Sequence, residues 1–270
     1  MMRPILAAVL LSVTAATAQA RELRVCADPN NLPFSNRAGE GFENKIAELI
    51  AKDIGATVTY TWWAQRRGFV RNTLKAGDCD LWPGVAAAMD MLTTTQPYYR
   101  SSYVFVTRAG ENSSLASFDD PKLQSLTIGV QMVGNDAMNT PPTHALARRG
   151  LTTNVRGYML YGDYTKPNPP AEIVDAVANR QVDVAIVWGP LAGYFADREN
   201  PRLAVTPVAA QFDGPEWPMA FDIAMGVRKG NSALQQEVDA ALVRNKPAID
   251  AILASYHVPV VSTPSADKRD

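Results

Sequence analysis

Short apolar runs alternate with helical patterns along this chain, and the alternation occurs twice. Residues 23–27 (LRVCA) and 57–62 (TVTYTW) are rich in β-branched and aromatic side chains, and 80–82 (DLW) opens another such run. Between the first two, Phe42, Ile46, Leu49, Ile50 and Ile54 recur at helical spacing, with Gly55 where a C-terminal cap belongs. Residues 66–76 predict a second helix, closed by Gly77. After an extended run at 103–107 the pattern restarts: strands at 126–130, 155–159 and 182–187, helices from Asn135 onward and at 170–179. A strand at 221–227 and a helix at 232–244 follow. Strand and helix in strict succession predict mostly parallel sheets with helices packed on them. Two such sets predict two α/β lobes with a cleft between them. Ligands of open α/β sheets bind beyond the carboxyl ends of the strands. The loops after Ala27, Trp62, Trp82, Val130 and Val187 are therefore expected to line that cleft.

The amino terminus decides the compartment. Arg3, an apolar run over residues 5–13 and Ala18-Gln19-Ala20 stand in the order of a secretory signal peptide. The run is shorter than the roughly 20 residues of a membrane span. The expected mature chain begins at Arg21 and is periplasmic. Loss of residues 1–20 removes one cation, so the formal net charge goes from −1 to −2, which attracts neither nucleic acid nor anionic lipid. A hydrophobic share of 47% against 20% charged residues supports an ordinary packed core rather than disorder. Residues 263–270 lack apolar content and read as a flexible tail.

Cys26 and Cys79 are the two cysteines. An oxidising compartment and an even count favour a bridge, while their places at the edges of apolar runs suit two buried thiols equally. Cys26 falls near the cleft end of its strand and Cys79 ahead of its own, which sets a Cα separation beyond the roughly 7 Å limit against the bridge. There is no C-x-x-C, and neither His144 nor His257 lies near a cysteine in sequence. H-E-x-x-H, G-x-S-x-G and G-x-G-x-x-G are absent, so no catalytic group, metal or cofactor is expected.

In order, "LRVCADPNNLPFS", "GFENKIAELIAKDIGATVTY", "LKAGDCDLWPG", "QPYYRSSYVFV", "LTIGVQMVGND", "RQVDVAIVWGP" and "FDIAMGVRKGN" resemble the periplasmic solute-binding proteins that take amino acids. The resemblance spans the mature chain. It implies a two-lobed, type II Venus-flytrap, with lobe I at 21–108 and 219–262 and lobe II at 109–218. Amino-acid members hold the ligand carboxylate with an arginine between the third strand and the Pro-Tyr pair, where this chain has the cation-free stretch around Ala88. They hold the amino group with an acid just after the strand matching 182–187, where this chain has Trp188. A buried zwitterion without partners is costly, so amino acids are not the expected ligand.

The candidate cleft residues are Asn30, Asn31 and Phe34 in the first loop, Trp62 and Trp63, Ala88, Tyr98, Tyr99 and Arg100, the run Val133-Gly134-Asn135, and Trp188. Each has a plainer reading. The asparagines suit turn geometry, the aromatics suit a core, and Arg100 suits a solvated or interface role. Arg66 and Arg67 beside Trp62 and Trp63 read as the polar face of a helix start or as a basic aromatic pocket.

"WWAQRRGFVRNTLKAGDCD" and "LTTTQPYYRSSYVFV" are similar to a narrower group, the J proteins of methanol-oxidation gene clusters (MoxJ and XoxJ), which are associated with quinoprotein dehydrogenases. That resemblance implies an accessory protein for a PQQ-dependent methanol dehydrogenase of the calcium or lanthanide type, one that binds, matures or activates the enzyme. The alternatives are an ABC-transporter receptor for a small solute other than an amino acid, and a dehydratase-like enzyme on the same fold.

Overall fold

The computed structural model describes residues 21–87, 89–133, 139–161 and 164–262. The expected signal peptide, the tail 263–270, Ala88, Gly134 and Asn135 lie outside the described residues. Among those described, the strands in chain order are β1 (Arg21–Ala27), β2 (Asn30–Asn31), β3 (Ser35–Asn36), β4 (Ala56–Trp62), β5 (Leu81–Ala86), β6 (Thr93–Thr94) and β7 (Tyr99–Arg108). They continue with β8 (Ile128–Met132), β9 (Val155–Met159), β10 (Val184–Trp188), β11 (Leu203–Pro207), β12 (Phe212–Asp213), β13 (Trp217–Pro218) and β14 (Ala220–Val227). The α-helices are α1 (Phe42–Asp53), α2 (Phe69–Asn72), α3 (Pro141–Arg148), α4 (Glu172–Ala178), α5 (Gly189–Ala196), α6 (Ser232–Arg244) and α7 (Lys246–Ser255).

On one side β1 lies parallel to both β4 and β5; on the other β8 lies parallel to both β9 and β10. These are the two expected parallel sets. β7 joins them. Its first half, Tyr99 to Ser102, pairs antiparallel with β14, and its second half pairs with β10 and β11. The path β4-β1-β5-β14-β7-β10-β8-β9 is thereby continuous. β7 needs apolar side chains on both faces, and its run from Tyr103 to Thr107 is buried without a break.

The first helix follows its sequence pattern. Phe42, Ile46, Ala47 and Ile50 are buried on one face of α1, and Gly55 takes φ +68°, the left-handed conformation that ends a helix without Cβ strain. The helix expected over 66–76 is cut to α2. Gly68, at φ +91°, delays its start, and at Thr73 the backbone leaves helical geometry while its hydroxyl donates to the Phe69 carbonyl.

Cys26 and Cys79 form a disulfide with Cα atoms 5.5 Å apart. The geometric objection fails because Asp80 N donates to Arg24 O at 2.7 Å, drawing the start of β5 alongside β1. The bridge sits in a buried cluster with Phe69, Leu74, Trp82 and Leu92.

Candidate functional site

A cavity of about 280 Å³ opens at the carboxyl ends of the parallel strands, where the sequence placed the cleft. From one side it is lined by Asn31, Phe34, Glu43, Gln65 and Gly84; from the other by Gln131, Val133, Thr140, Tyr161 and Trp188. The crossing strands supply the floor, with Tyr99 and Tyr103 from β7 and Phe221 and Ile223 from β14.

Three of these rings form one aromatic wall. Trp188 meets Tyr103 edge to face at 5.4 Å and Phe221 at 5.8 Å, while Tyr103 and Phe221 are 6.5 Å apart. Trp188 ends β10, so the residue expected to replace an acid is an aromatic wall of the cavity.

Glu43 is the ionisable acid of the lining. It follows Phe42 in the first turn of α1, where Glu43 N donates to Phe34 O at 3.0 Å and the helix dipole favours negative charge. Only 5% of it is exposed, and among the described residues its carboxyl has no hydrogen-bond or ion-pair partner. Burial pushes its pKa up to about 8. Gly84 makes the room: a Cβ built there would stand 2.0 Å from Glu43 Oε1. The neighbouring Asn31 donates from Nδ2 to Gln65 Oε1 at 2.8 Å, and its buried Oδ1 has no partner.

Of the residues expected in the cleft, Asn31, Phe34, Tyr99, Val133 and Trp188 line this cavity. Asn30 is outside the lining, and its Nδ2 donates to Lys166 O at 2.8 Å. The others are placed elsewhere. Trp62 stacks on Tyr60 at 4.6 Å, and the Arg37 guanidinium lies over its ring, 5.6 Å from the centroid. Trp63 is 42% exposed and outside the lining. Tyr98 is buried, its hydroxyl donating to Pro83 O at 2.9 Å, because side chains alternate along a strand and Tyr99 takes the cavity face. Arg100 pairs with Asp222 at 2.9 Å on the adjacent strand.

Gln65, Gly84 and Gln131 follow strand ends expected at the cleft without being singled out, and Glu43, Tyr103, Thr140, Tyr161, Phe221 and Ile223 were not anticipated. Glu43 had a signal in the sequence: an acid between Phe42 and Ile46, both of which a buried helix face requires. Tyr161 and Thr140 sit in segments without periodicity and had none.

The family model for bacterial extracellular solute-binding proteins, family 3, matches residues 23–258. The chain belongs to this family. It is 34% identical over 254 residues to protein MoxJ of Methylorubrum extorquens, covering 92% of this chain and 84% of that protein. Protein MoxJ of Paracoccus denitrificans is 32% identical over 273 residues, covering 94% and 95%. The crystal structure of the periplasmic binding protein XoxJ from Methylobacterium extorquens AM1 superposes with a TM-score of 0.73 at 36% identity, over 89% of this chain and 100% of that one. MxaJ from Methlophaga aminisulfidivorans MPT, at 24% identity and a TM-score of 0.75, shares the fold over 88% of this chain and 100% of its own. No helix among the described residues is long and apolar enough to cross a membrane.

Proposed function

We propose that this chain is a periplasmic accessory protein of a PQQ-dependent methanol dehydrogenase, of the calcium or lanthanide type, and that it acts by binding rather than by turnover. The similarity to MoxJ over 92% of the chain carries this reading. Its lobes are taken at 21–108 with 219–262 and at 109–218, and its export at cleavage near Ala20.

The surface supports it. Trp63 follows β4, Val133 follows β8 and Tyr164 lies beyond β9, and they are 42%, 46% and 51% exposed. These apolar side chains stand beyond the carboxyl ends of parallel strands from both sides of the sheet. Aromatic and aliphatic side chains of this kind anchor protein interfaces. Arg100, ion-paired within the sheet, and the buried Tyr98 are no part of that surface.

The test is immobilised dehydrogenase, apo and cofactor-loaded, against the wild-type chain and Trp63→Ala, Val133→Ser and Tyr164→Ala. Binding tighter than about 100 μM, roughly −5.5 kcal/mol, is expected. Each substitution should weaken it by about 1 kcal/mol or more through faster dissociation. Wild type that binds neither form removes the accessory reading. The cavity with its buried Glu43 favours a second reading, a receptor for a small solute, and that reading then takes its place.

A further inference from the structure

The aromatic cavity holds an acid that nothing among the described residues answers. Glu43 presents its carboxyl over Gly84, both residues line the cavity, and among the described residues the lining contains no lysine or arginine. A carboxyl so enclosed pays a desolvation penalty unless a donor or a cation meets it. Asn31 adds a second buried oxygen without a partner beside it. With Glu43 ionised both unmet groups are acceptors, so the missing partner is a donor. Around them the rings of Phe34, Tyr99, Tyr103, Tyr161, Trp188 and Phe221 present π faces and edges, surroundings in which an organic cation is attracted while its alkyl groups leave water.

We propose that this cavity binds a small alkylammonium ion, with its N–H groups on Glu43 and its carbon atoms against the wall formed by Trp188, Tyr103 and Phe221. A volume of about 280 Å³ lies just below the usual range for drug-sized ligands and suits an ion of a few carbon atoms. An amino acid is refused, since its carboxylate meets no cation in the described lining. The ion binds here whether or not the rim engages a dehydrogenase, so the assay contains none.

A cation that needs the ionised carboxyl competes with the proton, and binding should strengthen as pH rises from about 6 toward about 8. The titratable groups that feel the Glu43 charge are Tyr60, Tyr98, Tyr99 and Tyr161, all raised by burial above the usual tyrosine value, so they stay neutral over that interval.

The experiment titrates the mature chain with isopropylammonium and with isopropanol, its neutral near-isostere, following calorimetric heat and tryptophan fluorescence. The expected result is a dissociation constant for isopropylammonium near or below about 1 mM at pH 8, at least about tenfold tighter than for isopropanol. Glu43→Gln and Gly84→Ala, the second of which displaces the carboxyl, should each lose that preference. Equal affinity for the two probes, or none for the ion at about 10 mM, overturns the proposal without recourse to a variant. So does a folded Glu43→Gln protein that still prefers the cation.

Discussion

Arg100 and Asp222 face one another across β7 and β14, with Nη1 2.9 Å from Oδ2. The same guanidinium donates from Nη2 to Gln211 Oε1 at 2.8 Å, and the Arg100 backbone carbonyl accepts from Val261 N at 3.0 Å. One arginine therefore ties together β7, β14, the segment before β12 and the carboxyl-terminal stretch. All of these meet where the two parallel sets join.

Arg100→Ala should lower unfolding stability by about 1–2 kcal/mol, a modest figure because Asp222 is partly exposed and water recovers its charge. Chemical denaturation reads the loss directly. Association with a dehydrogenase should keep its rate at low salt. An unchanged denaturation midpoint together with slower association would return Arg100 to the partner surface.

The Cys26–Cys79 disulfide closes a separation of 53 residues. Constraint of the unfolded chain over such a loop is worth roughly 3–4 kcal/mol. Both sulfur atoms are buried with Phe69 and Trp82, so reduction should be slow in the folded protein and fast once it is unfolded. Cys26→Ala/Cys79→Ala should unfold at lower denaturant by that amount. Equal midpoints for oxidised and reduced protein would mean that the bridge adds nothing.

Glu43 sets the alkaline side of the stability profile. A carboxyl raised by burial from 4.5 to about 8 holds its proton more tightly folded than unfolded, so its contribution is fully present below about pH 4.5 and is lost by about pH 8. Asp28, Asp175 and Glu199, also raised chiefly by burial, run in the same direction. Glu237, lowered by its hydrogen bond from Arg21, runs the other way and is lost in acid. The difference between wild type and Glu43→Gln isolates the one group. The melting temperature of the variant should fall less between pH 5 and 8, an interval set by the Glu43 value. Parallel profiles would show that Glu43 is ionised throughout.

Much of this was legible before any coordinates. The strands and long helices carry their periodicity in the sequence, and α1 ends at Gly55 as its pattern demands. Strand-end loops led to Asn31, Phe34, Val133 and Trp188 without reference to any contact. The choice between Tyr98 and Tyr99 was not legible, because it depends on strand phase, and phase is fixed by the pairing of β7 with β14. Trp62 and Trp63 misled for a related reason: β4 is the outermost strand of its side, and its end carries them away from the cavity. Glu43 stands beside the apolar positions of α1, but that it reaches the cavity depends on the opening at Gly84, which no spacing in the sequence shows.

Amino acids should leave this protein unmoved. Their receptors answer both charges of the ligand; here the lining among described residues contains one acid and no cation, and Trp188 closes the position after β10. An amino acid placed with its ammonium on Glu43 would bury a carboxylate against Phe221, Tyr103 and Trp188, at a cost of several kcal/mol that no contact on that wall offsets. Removal of the carboxylate from the ligand removes the cost, so isopropylammonium should bind where alanine does not. Calorimetric titration with the common amino acids should give no heat at pH 7 or pH 8. A micromolar dissociation constant for any of them would place a cation in the cavity and refute the reading of Trp188 as a replaced anchor.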